Sequence, residues 1–242
     1  MIVAHAHDSK AIARRRGDRR LRRRSDDQPN GVAGLGAKLR AAREKNGLSL
    51  RALARSVDVS PSLISQIEHG TVVPSVGTLY AMVTELGLGL DELFENKSKA
   101  ASNGRRMPPR KPLSPVCRSN KREVIRLADG VRWELLTPAP DPVLEFFYVV
   151  YEPGAESCEE DKLVRHGGME YAYLISGRLG IQIGSEQYVL DPGDSISFDA
   201  QRPHRLWTVG DKPAVAIWAV LNRSQDTRAN VKPQPRAGKG RR

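Results

Sequence analysis

The chain has 242 residues, 28% charged and only 5% aromatic, with a formal net charge of +11. That length suggests two domains. No stretch is apolar enough to cross a bilayer, so we expect no membrane partner. Two cysteines at their wide spacing make neither a metal knuckle nor a disulfide framework, and we expect a cytoplasmic protein.

The positive charge lies mainly outside the two segments that have the composition of folded domains. Residues 1–30, 97–122 and 222–242 carry net charges of +5, +9 and +6, whereas residues 31–96 and 123–221 carry −1 and −8. We predict disordered tails at both ends and a flexible linker between the domains. These arms either attract a polyanion or simply keep the chain soluble. The N-terminal arginine run lacks the apolar core of a secretory leader.

Residues 31–96 are predicted to form five short helices. A first helix covers residues 35–46, a helix-turn-helix covers 50–69, a fourth helix begins at Pro74-Ser75, and a closing turn covers 90–95. Apolar residues at helical spacing give each helix one face for a small core. About sixty residues are enough for a marginal independent domain.

The helix-turn-helix has a start or stop signal at each boundary. Ser49 can cap its first helix, Asp58 tolerates the left-handed turn, and Ser60 followed by Pro61 starts its second helix. That second helix turns its two isoleucines inward and leaves a polar face made of Ser62, Ser65, Gln66 and His69. Hydroxyls and an amide suit base edges in the major groove. The alternative is a helical hairpin whose polar face is merely solvated.

The segment from about Leu35 to Glu95 resembles the helix-turn-helix of phage-repressor domains of the Cro/C1, or Xre, type. The resemblance implies that Ser62 and Gln66 face bases and that Ser60 and His69 lie near phosphates. It also implies a partly buried pair between Arg43 and Glu68. Leu50 departs from the pattern, because some members have a phosphate-binding glutamine there. The predicted DNA-binding set is Arg43, Ser60, Ser62, Ser65, Gln66 and His69.

From Glu123 onward the apolar residues alternate, as they do in strands. Short runs bounded by Gly, Pro and Asp turns predict a sandwich or barrel. The predicted strands cover residues 133–136, 145–151, 171–175, 179–183, 187–190, 195–198 and 215–221.

Three stretches of this second segment, residues 153–157, 166–177 and 190–204, resemble the cupin domain in their order and composition. The resemblance covers roughly residues 131–221 and implies a double-stranded β-barrel. The predicted fold is therefore α plus all-β, a five-helix phage-repressor-like domain followed by a cupin. Bacterial transcriptional regulators include proteins with this domain order.

The cupin metal pattern is a His-x-His pair, a glutamate and a distant histidine. Here Val164 takes the place of the first histidine, while His166, Glu170 and His204 remain. Two imidazoles and a carboxylate are the ligand set of mononuclear non-haem iron sites. We expect either an Fe, Mn or Zn site or a pocket where these residues contact an organic effector. His204 follows Pro203, and we place it on a turn.

The sequence thus predicts a transcriptional regulator that binds double-stranded DNA as a homodimer. Its cupin domain is expected to bind a small-molecule effector or a divalent metal, and no catalytic residue is assigned. The alternative is a mononuclear non-haem iron enzyme resembling hydroxypropylphosphonate epoxidase, which combines the same two kinds of domain.

Overall fold

The computed structural model describes residues 30–94, 114–139, 141 and 143–221. Residues 1–29, 95–113 and 222–242 lie outside these described residues. They include nearly all of the predicted tails and most of the predicted linker. No helix within the described ranges combines the length and apolarity needed to cross a membrane. The helical domain, called the head here, contains α1 (Asn30–Lys45), α2 (Leu50–Ser56), α3 (Pro61–Glu68), α4 (Val76–Leu86) and α5 (Leu90–Phe94).

The local signals at the helix-turn-helix are confirmed. The Ser49 hydroxyl accepts the N–H of Ala52 at 3.1 Å, and the Ser60 hydroxyl accepts the N–H of Leu63 at 3.1 Å. Asp58, between α2 and α3, has a φ of 53°, in the left-handed region that Asp tolerates better than most residues. The sequence therefore sets the ends of both helices through contacts within a few residues.

Helix α1 fixes the C-terminal end of α3. A Cβ on Gly36 would lie 2.2 Å from the carbonyl oxygen of Ile67, so only glycine allows this close approach. The predicted Arg43–Glu68 pair is confirmed as a two-pronged contact. Nε lies 2.6 Å from Oε1 and Nη2 lies 2.8 Å from Oε2. Arg43 also donates from Nη1 to the carbonyl of Leu48 at 2.8 Å, and both charged groups are buried.

The second domain, called the barrel here, is built from two antiparallel sheets. Its strands are β1 (Val124–Arg126), β2 (Val131–Leu135), β3 (Leu144–Tyr151), β4 (Met169–Ser176), β5 (Leu179–Ile183), β6 (Glu186–Leu190), β7 (Ser195–Asp199), β8 (His204–Thr208) and β9 (Ala214–Leu221). One sheet has the order β1-β2-β3-β9-β4-β7 and the other the order β6-β5-β8.

Two of these strands, β1 and β8, are absent from the sequence prediction. The placement of His204 on a turn is wrong: it opens β8 and is only 3% exposed. Its backbone exchanges two hydrogen bonds with Val164, at 2.9 and 2.8 Å. The proline before His204 indicates a turn in the sequence. The strand leaves no local pattern to oppose that interpretation, because the residues that pair with it lie far away in sequence.

Residues 114–122, which composition assigns to the linker, lie against the barrel. Arg122 Nη1 is 3.0 Å from Glu134 Oε2 on β2, and Cys117 Sγ is 3.6 Å from the carbonyl oxygen of Leu135. Both cysteines are free, as the sequence predicts. This part of the chain thus approaches the barrel before β1 begins.

Head and barrel share one apolar core among the described residues. Phe94 stacks on Phe147 at 5.5 Å between ring centroids, and Tyr80 meets Trp133 edge-on at 5.7 Å. The N–H of Gly77, in the first turn of α4, donates to the carbonyl of Ser157 in the barrel at 2.9 Å. The barrel therefore satisfies a helix-terminal donor that lacks an intrahelical partner.

We expect Arg43→Ala to lower the free energy of unfolding by about 3–5 kcal/mol, because the Glu68 carboxylate, whose side chain is 2% exposed, would stay buried without its partner. Urea denaturation of the full chain measures this. Arg40→Ala is the matched control: it breaks a solvent-exposed pair with Glu44 one turn earlier and should lower the free energy of unfolding far less. Equal effects of the two substitutions would contradict a buried role for Arg43.

Candidate DNA-reading face and candidate metal centre

The polar face of α3 is available to a partner. Ser60, Ser62, Gln66 and His69 are exposed, and Ser65 is half-buried. The side chain of Gln66 makes no hydrogen bond to any other described residue, whereas Nδ1 of His69 lies 2.7 Å from the carbonyl oxygen of Ser65. Ile64 and Ile67 are buried beneath this face, as the sequence predicts.

Arg43 lies apart from the other predicted DNA-binding residues. Its guanidinium is directed at Glu68 and Leu48 and is buried within the head. Arg51 and Arg55, by contrast, are exposed one turn apart on α2, and sequence reasoning missed them. Their i,i+4 spacing beside the helix-turn-helix was the available signal.

In the barrel, His166, Glu170 and His204 converge in the interior. His166 precedes β4, Glu170 lies within β4, and His204 opens β8. Nε2 of His166 is 2.7 Å and Nε2 of His204 is 3.6 Å from Oε1 of Glu170. One ligand atom from each residue lies within 4.8 Å of the others, and all three residues are buried. The spacing is compact enough for the three to share one ion.

Backbone carbonyls set the tautomer of both imidazoles. Nδ1 of His166 is 2.9 Å from the carbonyl oxygen of Gly167, and Nδ1 of His204 is 2.9 Å from that of Arg202. A carbonyl only accepts hydrogen bonds, so each Nδ1 carries a proton in the neutral ring. In that form each Nε2 has a lone pair for a metal ion, and in the protonated ring it donates toward Glu170 instead. The contact of each Nδ1 with a carbonyl is the arrangement that orients histidine ligands in metal sites.

Burial and hydrogen bonding act on the charge of the site. Burial lowers the pKa of His204 and favours the neutral imidazole. Burial alone would raise the pKa of Glu170. Its contacts with His166 and His204, and the N–H that Trp218 donates to Oε2 at 3.0 Å, instead hold that pKa below its ordinary value. A carboxylate and neutral imidazoles are the forms that bind a metal.

The donor set also has an unsatisfied member. Nε2 of His166 is buried and has no aligned hydrogen-bond partner, although the Glu170 oxygen is 2.7 Å away. A cation between the two would satisfy both atoms, so the residues present fit a divalent metal. The site opens onto a cavity of about 30 Å³, which has room for about two water molecules. Val164, at the missing-histidine position, lines this cavity.

Two residues of this site have no recognisable signal in the sequence. Trp218, on β9, orients the Glu170 carboxylate. Tyr80, on α4 of the head, stacks on the His166 ring, with 4.3 Å between the ring centroids and 4° between the ring planes. No motif connects residues on such distant segments, and only the packing of the head against the barrel brings Tyr80 to the site.

Comparisons with known proteins match both domains. A family model for the helix-turn-helix matches residues 39–93, and one for the cupin domain matches residues 147–220. The HTH-type transcriptional regulator PuuR of Escherichia coli is 28% identical over 171 residues, which are 70% of this chain and 84% of PuuR. The HTH-type transcriptional regulator SutR of E. coli is 24% identical over 190 residues, 78% of this chain and 94% of SutR.

A solved structure shares the two-domain fold. The HTH_3 family transcriptional regulator from Vibrio cholerae aligns with a TM-score of 0.56 at 23% identity, covering 80% of this chain and 97% of that one. Hydroxypropylphosphonic acid epoxidase from S. wedmorenis aligns with a TM-score of only 0.38 at 16% identity, too low to support an inference about chemistry.

We expect metal-stripped protein to bind about one equivalent of Co²⁺, because the site offers three converging ligand atoms and space for water ligands. Equilibrium dialysis and visible absorption of the bound ion measure this. His204→Ala should abolish binding, whereas His69→Ala, which changes an exposed histidine of the head, should leave it intact.

Val164→His would restore the fourth donor. It should tighten Co²⁺ binding at least about ten-fold, because even residues that only orient a metal ligand change metal affinity by that factor or more. Loss of Co²⁺ in both the His204 and His69 variants, or in neither, would contradict a centre at the three buried residues.

Proposed function

Since this chain joins a helix-turn-helix domain of the Xre type to a cupin domain and is homologous to HTH-type transcriptional regulators, we propose that it regulates transcription by binding specific operator DNA through α3. In this proposal residues 31–96 bind the DNA, residues 123–221 form the sensor, and the basic segments 1–30, 97–122 and 222–242 add attraction to phosphates.

The observation that carries the proposal is the exposed polar face of a rigidly held α3. The Gln66 amide can form a bidentate contact with adenine, donating one hydrogen bond and accepting another, and the Ser62 hydroxyl can bond to a base edge. Ser60 and His69 flank them at the two ends of the helix, and Ser65 lies between them. Arg43 pairs with Glu68, the last residue of α3, and so stabilises the helix that carries this face. Arg51 and Arg55 supply positive charge on the neighbouring helix for phosphate contacts.

We assign the sensor role to the buried trio of the barrel. His166, Glu170 and His204 provide the donor set for a first-row divalent metal, and Val164 leaves coordination positions open to water or a small molecule. The alternative occupant is an organic effector that uses the same three residues as hydrogen-bonding groups. Both occupants would reach the cavity between the barrel and α4.

We further propose that the protein is a homodimer formed through the outer face of the larger sheet. Met169, Tyr171, Tyr173 and Ile175 follow one another on the exposed side of β4. Tyr171 lies opposite Ala219 and Tyr173 opposite Ile217 of the neighbouring strand, so the apolar surface continues across strands. Such patches on soluble proteins mark interaction sites. A two-fold dimer would place two α3 helices on successive turns of DNA.

A mononuclear iron enzyme remains the second candidate because the trio is the ligand set of such enzymes. The homology to HTH-type transcriptional regulators favours the regulator. The cavity volume of about 30 Å³ is a tenth or less of the 300–1,000 Å³ typical of small-molecule sites, so a substrate, like an organic effector, would enter only if the cavity expanded. We therefore favour a regulator without turnover, acting in the cytoplasm.

We expect Gln66→Ala to reduce the preference for the operator over random DNA by about 1–3 kcal/mol, because one base contact would be lost. The operator is first selected from a random duplex library with the full chain, and affinities are then measured at one salt concentration. Gln187→Ala, the same change at an exposed position of β6, is the control. An equal loss on operator and random DNA would refute base recognition by Gln66.

We expect Tyr173→Glu to convert the dimer to a monomer, because it places a charge in the middle of the apolar face. Light scattering after size exclusion measures the mass. Tyr188→Glu is the matched control: Tyr188 is 43% exposed, close to the 51% of Tyr173, but lies on the smaller sheet. A monomeric wild-type protein, or a dimer in the Tyr173 variant, would disprove this interface.

A further inference from the structure

Helix α4 is part of the head and also a wall of the barrel cavity. We propose that α4 transmits the state of the barrel site to α3 through α1 and α2, the helices that contact both, with Tyr80 on His166 as the point of coupling. The proposal rests on the proposed function, whose sensor it connects to its DNA-binding helix. It assigns the coupling to packed side chains and not to the linker.

On the barrel side, the contacts belong to the first two turns of α4. Val76 and Tyr80 line the cavity together with Glu170 and His204. The Tyr80 ring lies parallel to the His166 imidazole at 4.3 Å. Gly77 holds the helix close, because its N–H donates to Ser157 and a Cβ at this position would be 3.1 Å from that of Cys158.

On the head side, the same helix packs against α1 and α2, and both of these helices pack against α3. Leu79, Met82 and Val83 of α4 are fully buried, as are Ile64 and Ile67 of α3, and all five belong to one apolar cluster. A close-packed core does not deform continuously. A displacement of α4 would therefore shift α1 and α2 and, through them, the packing beneath α3.

The size of the cavity determines how an occupant acts on α4. A hydrated cation fits in about 30 Å³ and would hold His166 in place beneath Tyr80. An organic effector needs about ten times that volume. The strand residues of the wall are held by ladder hydrogen bonds, and Ser157 and Val164 are hydrogen-bonded to β8. Val76 and Tyr80 of α4 must therefore give way. Both occupants thus act through α4. A cation would hold the helix in place, and an organic effector would displace it from the barrel.

A reversible cross-link tests whether α4 carries the signal. Gly77→Cys, made with Cys117→Ser to remove the other thiol, places a new Cβ 3.1 Å from the Cβ of Cys158. A shift of a few tenths of an ångström gives the roughly 3.5–4.5 Å of a disulfide. We expect the full-length folded protein to form this bond under mild oxidation and to release it with reductant. Failure to form it would overturn the placement of α4 and with it the proposal.

The readout is hydrogen exchange of the α3 backbone amides, measured with and without the cross-link. His166→Ala removes the surface under Tyr80, and in reduced protein we expect α3 to exchange at least about five-fold faster, the low end of typical coupling between sites. In cross-linked protein the difference should disappear. Unchanged exchange in reduced protein, or the same increase in both forms, would overturn the proposal. Gly77→Ser, which cannot cross-link, controls for the oxidant.

A second variant covers the case in which His166→Ala fails to fold. Tyr80→Leu keeps an apolar side chain but removes the stacked ring, and it should also accelerate α3 exchange at least about five-fold in protein not locked by the disulfide. Tyr80→Phe keeps the ring and should exchange more slowly than Tyr80→Leu. Equal exchange in the two variants would overturn the role of the stack. None of these measurements uses DNA, so failure of operator selection would count against the proposed function alone.

Discussion

The structure depends on one shared apolar core in which α4 is common to both domains. Small domains of about sixty residues bury little surface and are marginally stable alone. Here the barrel adds Trp133 and Phe147 to the aromatic residues of the head, and its backbone satisfies an N–H of the first turn of α4. The head is therefore stabilised by the domain that we propose as its sensor.

Two of the groups of buried charged side chains among the described residues differ in how completely they are satisfied. Arg43 and Glu68 form a closed pair that uses both carboxylate oxygens, so the pair fixes a helix and leaves no donor set for a ligand. In the barrel, the Nε2 atoms of His166 and His204 face the same Glu170 oxygen, and each Nδ1 faces a backbone carbonyl. The first group is structural, and the second could bind a metal ion.

Positive charge, the polar face for base contacts and the exposed apolar face belong to different parts of the chain. The two folded segments are neutral to acidic overall, and most of the positive charge belongs to the segments that flank them. Long-range attraction to DNA and recognition of bases are then separate properties of the chain, because counterion release needs only charge whereas base contacts need rigid geometry. The apolar outer face of β4 differs from both, and we propose it as the contact with a second copy of the chain.

The sequence alone determined what depends on near neighbours. Ser49, Asp58 and Ser60 act within a few residues, and so the limits of α2 and α3 were predictable. The trio of the barrel was identified as a set through its resemblance to cupins. The tertiary structure decided the rest: that His204 begins a strand and that Tyr80 covers His166. Both depend on partners distant in sequence, because strand pairing and interdomain packing are set by the shape of the whole core and leave no local pattern.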